Sequence, residues 1–203
     1  MTKREEKKRL RRLLLEQIRA FPPAYCRRAD EAIYRHVVSL PAYQTARTIC
    51  AYVGMDCEIN TKPLIERMLA DGKRVGVPLC VGKGVMEMRE IGGLDELQAG
   101  TWGILEPAPE APLLRPEEID LGLIPCVSGN EAGQRLGYGG GFYDAYLAKA
   151  PFLRVLLCRK AMMTAPIPME PHDAAMDVVV SEDGAVYCSS RKKGLKKFSV
   201  KTF

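Results

Sequence analysis

Residues 47–79, RTICAYVGMDCEINTKPLIERMLADGKRVGVPL, decide the fold. The run opens on an apolar, β-rich stretch at 47–53 and passes a turn at 54–60. It continues into a helical stretch at 61–71, closed by Gly72, and a second apolar run, RVGVPL, follows at 74–79. Strand, helix and strand in this order form the βαβ signature, which implies a parallel sheet covered by helices.

The reading extends in both directions from there. Upstream, residues 3–20 place Leu10, Leu13, Leu14 and Ile18 at helical spacing beneath a basic face, and Pro22-Pro23 stops the pattern. A second helix is expected over 23–39, ended by Pro41. Downstream, Gly82-Lys83-Gly84 reads as a hairpin turn, and VMEMREI at 85–91 alternates as a half-exposed strand does. Residues 92–118, rich in Gly, Pro and Glu, read as a long surface connection. IDLGLIPCV at 119–127 predicts a buried strand, 137–149 a glycine loop and helix, and 153–158 another buried strand. A Pro-rich loop at 164–172 leads to a last strand at 177–181. The expected architecture is α/β, a three-layer α/β/α arrangement with a mostly parallel sheet. It forms one domain over 1–188, with a basic tail at 189–203.

The composition of the 203 residues, 47% hydrophobic and 27% charged with 18 Gly and 14 Pro, excludes collagen-like, mucin-like and wholly disordered classes. The formal charge of +5 is unevenly distributed. Residues 1–12 hold seven basic and two acidic residues, and 191–203 hold six basic residues and no acid. Residues 13–190 keep 17 basic against 23 acidic, a net −6. A nucleic-acid-binding domain spreads basic residues over a folded face, so no nucleic-acid partner is expected from this acidic body. The seven cysteines are odd in number and lack a CxxC, as in a reduced, cytoplasmic chain. The charged start is unlike a secretory leader, and no run approaches the roughly 18 apolar residues of a membrane span.

The informative loop is RLGYGGGFYDAYLAK at 135–149. A buried strand feeds Gly137, Gly139, Gly140 and Gly141, and a helix follows. Glycines admit close approach of backbone amides to an anion, a helix start presents unpaired N–H groups, and Arg135 adds a forked contact. From the glycines alone, a phosphate cradle and a plain turn stay equally open. Walker residues are absent, and Phe142 stands where a dinucleotide fingerprint needs its third Gly.

RLGYGGGFYD resembles the ATP-binding loop of the 5-formyltetrahydrofolate cyclo-ligase family, R-L-G-x-G-x-G-[YF]-Y-D. Further matches follow the family order. Lys7-x-x-Leu10-Arg11 is similar to its K-x-x-L-R, and Met55 to Thr61 to its M-x-x-E-I-x-T. Thr101 to Pro107 resembles its W-x-I-x-x-P segment, and His172-Asp173 with Asp177 its H-D-x-x-x-D. The chain departs from the family at Ser128-Gly129-Asn130, where an Asp is common, and at Tyr138 and Gly140, where some members carry Arg and Lys.

The resemblance implies an isomerase and CoA-transferase-like fold and ATP-driven closure of 5-formyltetrahydrofolate to 5,10-methenyltetrahydrofolate. The formyl oxygen takes the γ-phosphoryl group, the second folate nitrogen attacks the activated carbon, and phosphate leaves. Such chemistry needs positioning and charge neutralisation more than a protein nucleophile. The resemblance implies catalytic roles for Arg135, Tyr143 and Asp144. It implies ATP binding by Lys7, Arg11, Arg135, Leu136, Gly137, Tyr138, Gly139, Gly140, Gly141, Phe142 and Tyr143. Substrate would meet Arg11, Val53, Glu58, Trp102 and residues Tyr138 to Phe142, with the Glu58 carboxylate on the pterin N–H groups. Asp144 and Asp173 would hold Mg2+.

Each of these residues also has a plainer reading: a solvated basic face for Lys7 and Arg11, a first-turn acid for Asp144, a turn acid for Asp173, an exposed loop acid for Glu58 and a loop staple for Trp102. His36 reads as packing or surface, and His172 as an orienter of Asp173. The tail is expected to be a disordered, solvated end. It could instead touch polyglutamylated folates or RNA, or dock through Phe198 and Phe203. The expected protein is a cytoplasmic monomer acting on a small-molecule folate, with no membrane partner.

Overall fold

The computed structural model describes residues 1–55, 57–100, 103–164 and 166–188. Trp102 and the tail 189–203 lie outside the described residues. Two helices lead, α1 (Lys3–Arg19) and α2 (Pro23–Ser39), followed by the short α3 (Pro41–Thr45). Thr2 and Glu5 form a capping box that satisfies the first orphan amides of α1. Pro23 supplies the preset backbone angle at the start of α2. Leu14 and Ile18 of α1 are buried, but Leu13 is 45% exposed, because its helical angle puts it beside the apolar stripe rather than on it. Pro41 does not merely end α2; it starts α3.

The predicted βαβ unit is β1 (Thr48–Ala51), α4 (Lys62–Ala70) and β2 (Arg74–Gly82), with β1 parallel to β2 and Ile49 opposite Val75. The β3 strand (Val85–Ile91) returns antiparallel through the Gly82–Gly84 turn, where Gly84 has φ +72°. Residues 92–118 are more than a connection. They contain β4 (Gln98–Ala99) and β5 (Leu105–Glu106), which pair with each other, and β6 (Leu113–Leu114), which pairs with β3 at the sheet edge.

Next come β7 (Leu121–Ile124), the small β8 (Ser128–Gly129) and β9 (Arg135–Leu136) hairpin, α5 (Phe142–Leu147), β10 (Leu153–Leu157) and β11 (Val178–Ser181). The chain does not end its sheet at β11, since β12 (Gly184–Tyr187) turns back antiparallel to it. The main sheet runs β12-β11-β10-β7-β1-β2-β3-β6. Its central strands β11, β10, β7, β1 and β2 are parallel.

Alternation of side chains across this sheet builds the three layers. Ile49, Ala51, Leu121, Leu123, Val155, Leu157, Val178 and Val180 face α2 and α4, packing with Ile33, Val37, Leu64 and Met68. Cys50, Ile124, Leu156 and Val179 face the other way, toward Phe152, Met176 and Leu147 of α5. Because both faces are covered, these strands are continuous apolar runs. Each fully buried Ile or Val there contributes about 1.5–3 kcal/mol. The α1 helix lies across the carboxyl ends, where Leu14 and Ile18 meet Val127, Leu136 and Cys158. No helix among the described residues is long and apolar enough to cross a membrane. Open parallel sheets place their ligand crevice at the strand carboxyl ends, where the glycine loop, Val53 and Glu58 lie.

Candidate active site

The β8–β9 hairpin delivers the glycine loop. Its turn is shaped by Asn130, whose Oδ1 accepts from the Ala132 and Gln134 amides, both at 3.2 Å, and whose Nδ2 donates to Gln134 Oε1 at 2.7 Å. Asn130 thus works as a turn former. Gly129 pairs with Arg135, which turns the Arg135 side chain inward until it is 6% exposed. Its Nη1 donates to Pro125 O at 3.2 Å and its Nη2 to Asp144 Oδ2 at 2.9 Å. The guanidinium carbon lies 5.7 Å from the Tyr143 ring centroid. Arg135 Nε and the Tyr143 hydroxyl are buried without a partner among the described residues. Leu136 is buried with the α1 residues and anchors the loop from below; it does not line the cleft.

Arg11 reaches the loop from α1 and donates from Nε to Gly137 O at 2.7 Å. Burial, and then the nearby Arg135 charge, pull its pKa down, so the two guanidinium groups lie close enough to repel each other. Gly139 has φ +100°, and a Cβ there would come within 3.2 Å of the Arg11 guanidinium. Gly141 has φ +76° at the entry to α5. Arg154 clips the far end of α5, donating to Leu147 O and, at 3.1 Å, to Ala150 O.

Facing the loop is a cavity of about 260 Å³. One wall is the loop itself, from Gly137 to Asp144. A second comes from beyond β1 and holds Tyr52, Val53, Met55 and Glu58. A third comes from the β2–β3 hairpin and β5, with Pro78, Cys80, Met86, Ile104 and Glu106. The lining is mostly apolar with a few charged groups, as in small-molecule sites. Val53 is buried, as expected of a lining residue. Glu58 accepts from its own loop, Met55 N to Oε2 at 2.9 Å. Burial raises its pKa above the usual glutamate value, opposed by the Met55 amide and the Tyr138 hydroxyl. Burial also pushes the Tyr143 phenol well up, so it remains a proton donor at neutral pH.

Lys7 and Arg11 share α1 but go to different partners. The Lys7 ammonium contacts Asp173 and sits 3.0 Å from Glu170 Oε2. Burial alone would raise the Asp173 pKa, but Lys7, the Glu170 amide and His172 together bring it below the ordinary value. Glu170, His172 and Asp173 place ligand-type atoms within 4.8 Å of one another, and Asp144 is not a member of that group. Asp144 instead accepts from the Ala174 amide at 3.2 Å, next in the chain to Asp173. The two predicted metal ligands therefore come from neighbouring backbone segments. Carboxylate oxygens are hard donors of the kind a magnesium ion takes, and the buried Arg135 Nε and Tyr143 hydroxyl, without a partner among the described residues, are groups that phosphate oxygens can satisfy. His172 is exposed, 3.7 Å from Asp173 Oδ1, and His36 Nε2 lies 3.2 Å from Glu182 O.

Glu106 was missed from sequence. It is 7% exposed, lines the cavity and accepts from Cys80 N at 3.2 Å. An acid among the apolar residues of GILEP was the available signal.

These features define a three-layer α/β enzyme whose crevice lies at the carboxyl ends of its parallel strands. The chain belongs to the 5-formyltetrahydrofolate cyclo-ligase family, a family of ligases, whose sequence model matches residues 3–182. It is 33% identical over 172 residues to a probable 5-formyltetrahydrofolate cyclo-ligase of Schizosaccharomyces pombe, covering 76% of this chain and 84% of that one. It is 33% identical over 190 residues to the 5-formyltetrahydrofolate cyclo-ligase of Mycolicibacterium smegmatis, covering 86% and 93%. In structure it is similar to the 5,10-methenyltetrahydrofolate synthetase of Aquifex aeolicus, with TM-score 0.82 and 26% identity over 90% of this chain and 93% of that one.

Proposed function

We propose that this protein uses ATP to close 5-formyltetrahydrofolate to 5,10-methenyltetrahydrofolate, releasing ADP and phosphate. The observation that carries the reading is the convergence of Arg135 and Arg11 on the glycine loop, beside a mostly apolar cavity that Glu58 also lines. One end of the site suits a polyphosphate and the other a flat ring rich in N–H donors.

Lys7, Arg11, Arg135 and residues 137–143 bind ATP, with Leu136 anchoring the loop from below and the glycines letting backbone amides reach the phosphates. Glu58 accepts from the pterin N–H groups. Val53, Trp102 and residues 138–142 complete the folate pocket. Asp144 and Asp173 would hold magnesium, which when bound neutralises phosphate charge. The formyl oxygen attacks the γ-phosphorus as the bond to ADP breaks. The second folate nitrogen then attacks the formyl carbon and loses its proton, and phosphate leaves with the former formyl oxygen. The protein's contribution is geometric and electrostatic. Arg135 stabilises charge on the transferring group, the Tyr143 phenol donates to a phosphate oxygen, and the apolar walls exclude water. The seven free thiols support a reducing, cytoplasmic setting.

Titration calorimetry with magnesium and ATP tests the nucleotide site. The wild-type chain is expected to bind one ATP, with affinity reduced at least about tenfold in Arg135→Ala. Equal affinity in the two proteins would refute the assignment.

A further inference from the structure

Behind the Glu58 wall lies a second cavity of about 20 Å³, bordered by Tyr52, Glu58, Cys126, Cys158 and Arg159. It has room for about one water molecule, so the segment carrying Glu58 is not backed by solid packing there. A charged clamp holds it instead. Arg159, just past the carboxyl end of β10, is 5% exposed. It grips Asp30 of α2 in a two-pronged pair, Nε to Oδ1 at 2.8 Å and Nη2 to Oδ2 at 3.0 Å. The same guanidinium donates to Cys57 O at 3.2 Å and to Glu58 O at 2.8 Å. Asp30 Oδ2 also accepts from the Asn60 amide at 3.0 Å. Residues 57, 58 and 60 are thus tied to two separate elements of the fold through one ion pair.

A buried ion pair is an inefficient way to gain stability, because desolvation offsets much of the attraction. A planar fork of N–H donors does something an apolar contact cannot: it fixes several acceptors in one mutual geometry. Here two of those acceptors are the carbonyls of the Glu58 peptide and the one before it. The Glu58 carboxylate accepts from the Met55 amide of its own loop as well as from the Tyr138 hydroxyl, so the place of the 57–60 backbone is one of the two things that set it.

We propose that Arg159 and Asp30 are positioning residues that set the place of the Glu58 carboxylate in the cleft and so govern recognition of the folate ring. This rests on the reading of Glu58 as the group that meets the pterin. Arg159 touches neither substrate; it acts through the 57–60 backbone. A lysine at 159 keeps the charge, but one ammonium cannot serve two carbonyls and both carboxylate oxygens.

The test is a double-mutant cycle read as separate KM values for 5-formyltetrahydrofolate and for ATP with magnesium. Glu58→Gln and Arg159→Lys should each raise the folate KM at least about tenfold and leave the ATP KM within about twofold. The double variant should be no worse than Glu58→Gln alone, because one residue acts through the other. Asp30→Asn, which loosens the same clamp from its other side, should repeat the selective folate effect and serves if Arg159→Lys does not fold. An unchanged folate KM in the clamp variants, additive losses in the double variant, or equal rises in both KM values would overturn the proposal. If Glu58→Gln alone leaves the folate KM unchanged, the pterin reading itself fails, and that arm shows it separately.

Discussion

Arg135 Nη2 donates to Asp144 Oδ2 at 2.9 Å, with Arg135 nearly enclosed and Asp144 a quarter exposed. The cation proposed for phosphate and the carboxylate proposed for magnesium therefore neutralise each other, so neither is buried as an isolated charge.

Removing Arg135 should therefore act on activity more than on folding. Arg135→Ala is expected to lower turnover by about 10²–10³ and stability by about 1.5–3 kcal/mol, the worth of a charged hydrogen bond. Arg135→Lys should recover stability better than activity, since it lacks the fork. Steady-state kinetics beside urea unfolding checks both, and full activity in Arg135→Ala would contradict the role.

Glu58 predicts a trade of function against stability. Its folded pKa lies above the ordinary glutamate value because of burial, so its ionised form costs stability at pH above that pKa, and the cost vanishes below the unfolded value. Glu58→Gln should be more stable than wild type at neutral pH, with the advantage fading toward pH 4. In wild type the folate KM should rise as acid protonates Glu58, and the variant should lose that titration. A less stable variant, or an unchanged pH profile, would count against the assignment.

The Lys7–Asp173 contact has the opposite sign. The Asp173 pKa is held below its ordinary value, so its stabilisation is complete above the unfolded pKa and is lost as pH falls through the folded one. Lys7→Met should cost about 1.5–3 kcal/mol at neutral pH, and the difference from wild type should shrink below about pH 4. Urea unfolding across pH measures this, and a difference independent of pH would remove the ion pair as its cause.

Gly139 and Gly72 separate backbone strain from site geometry. Both have positive φ, but a Cβ on Gly72 meets nothing within 4 Å, whereas one on Gly139 crowds the Arg11 guanidinium at 3.2 Å. Each Ala variant should lose about 1–3 kcal/mol of stability, while only Gly139→Ala should weaken ATP binding. Similar ATP affinities in the two variants would show that the loop does not need its close approach to Arg11.

The parallel centre of the sheet was legible because its strands are long apolar runs separated by helix-length segments; β1, α4 and β2 follow directly from residues 47–79. The 92–118 segment was not, because β5 and β6 are two residues long and no periodicity can show in such a length. The β12 strand has a local signal in the turn before it: Asp183-Gly184 follows DVVVS, and Gly184 has φ +136° in the hairpin. At the site, the glycine loop and Arg135 are contiguous and could be read together. The splitting of Lys7 from Arg11 depends on where Asp173 folds, 166 residues away, and the Arg159–Asp30 clamp joins residues 129 apart. Arg159, directly after the apolar stretch VLLC in RVLLCRK, was the one local hint of that clamp, since long-range ion pairs leave no pattern in a linear window.

The proposed reaction is tested by mixing purified protein with 5-formyltetrahydrofolate, magnesium and ATP and following the absorbance of 5,10-methenyltetrahydrofolate. Methenyl product should form only when ATP is present, with one ADP released per product. Absence of any ATP-dependent product from a folded chain would contradict it.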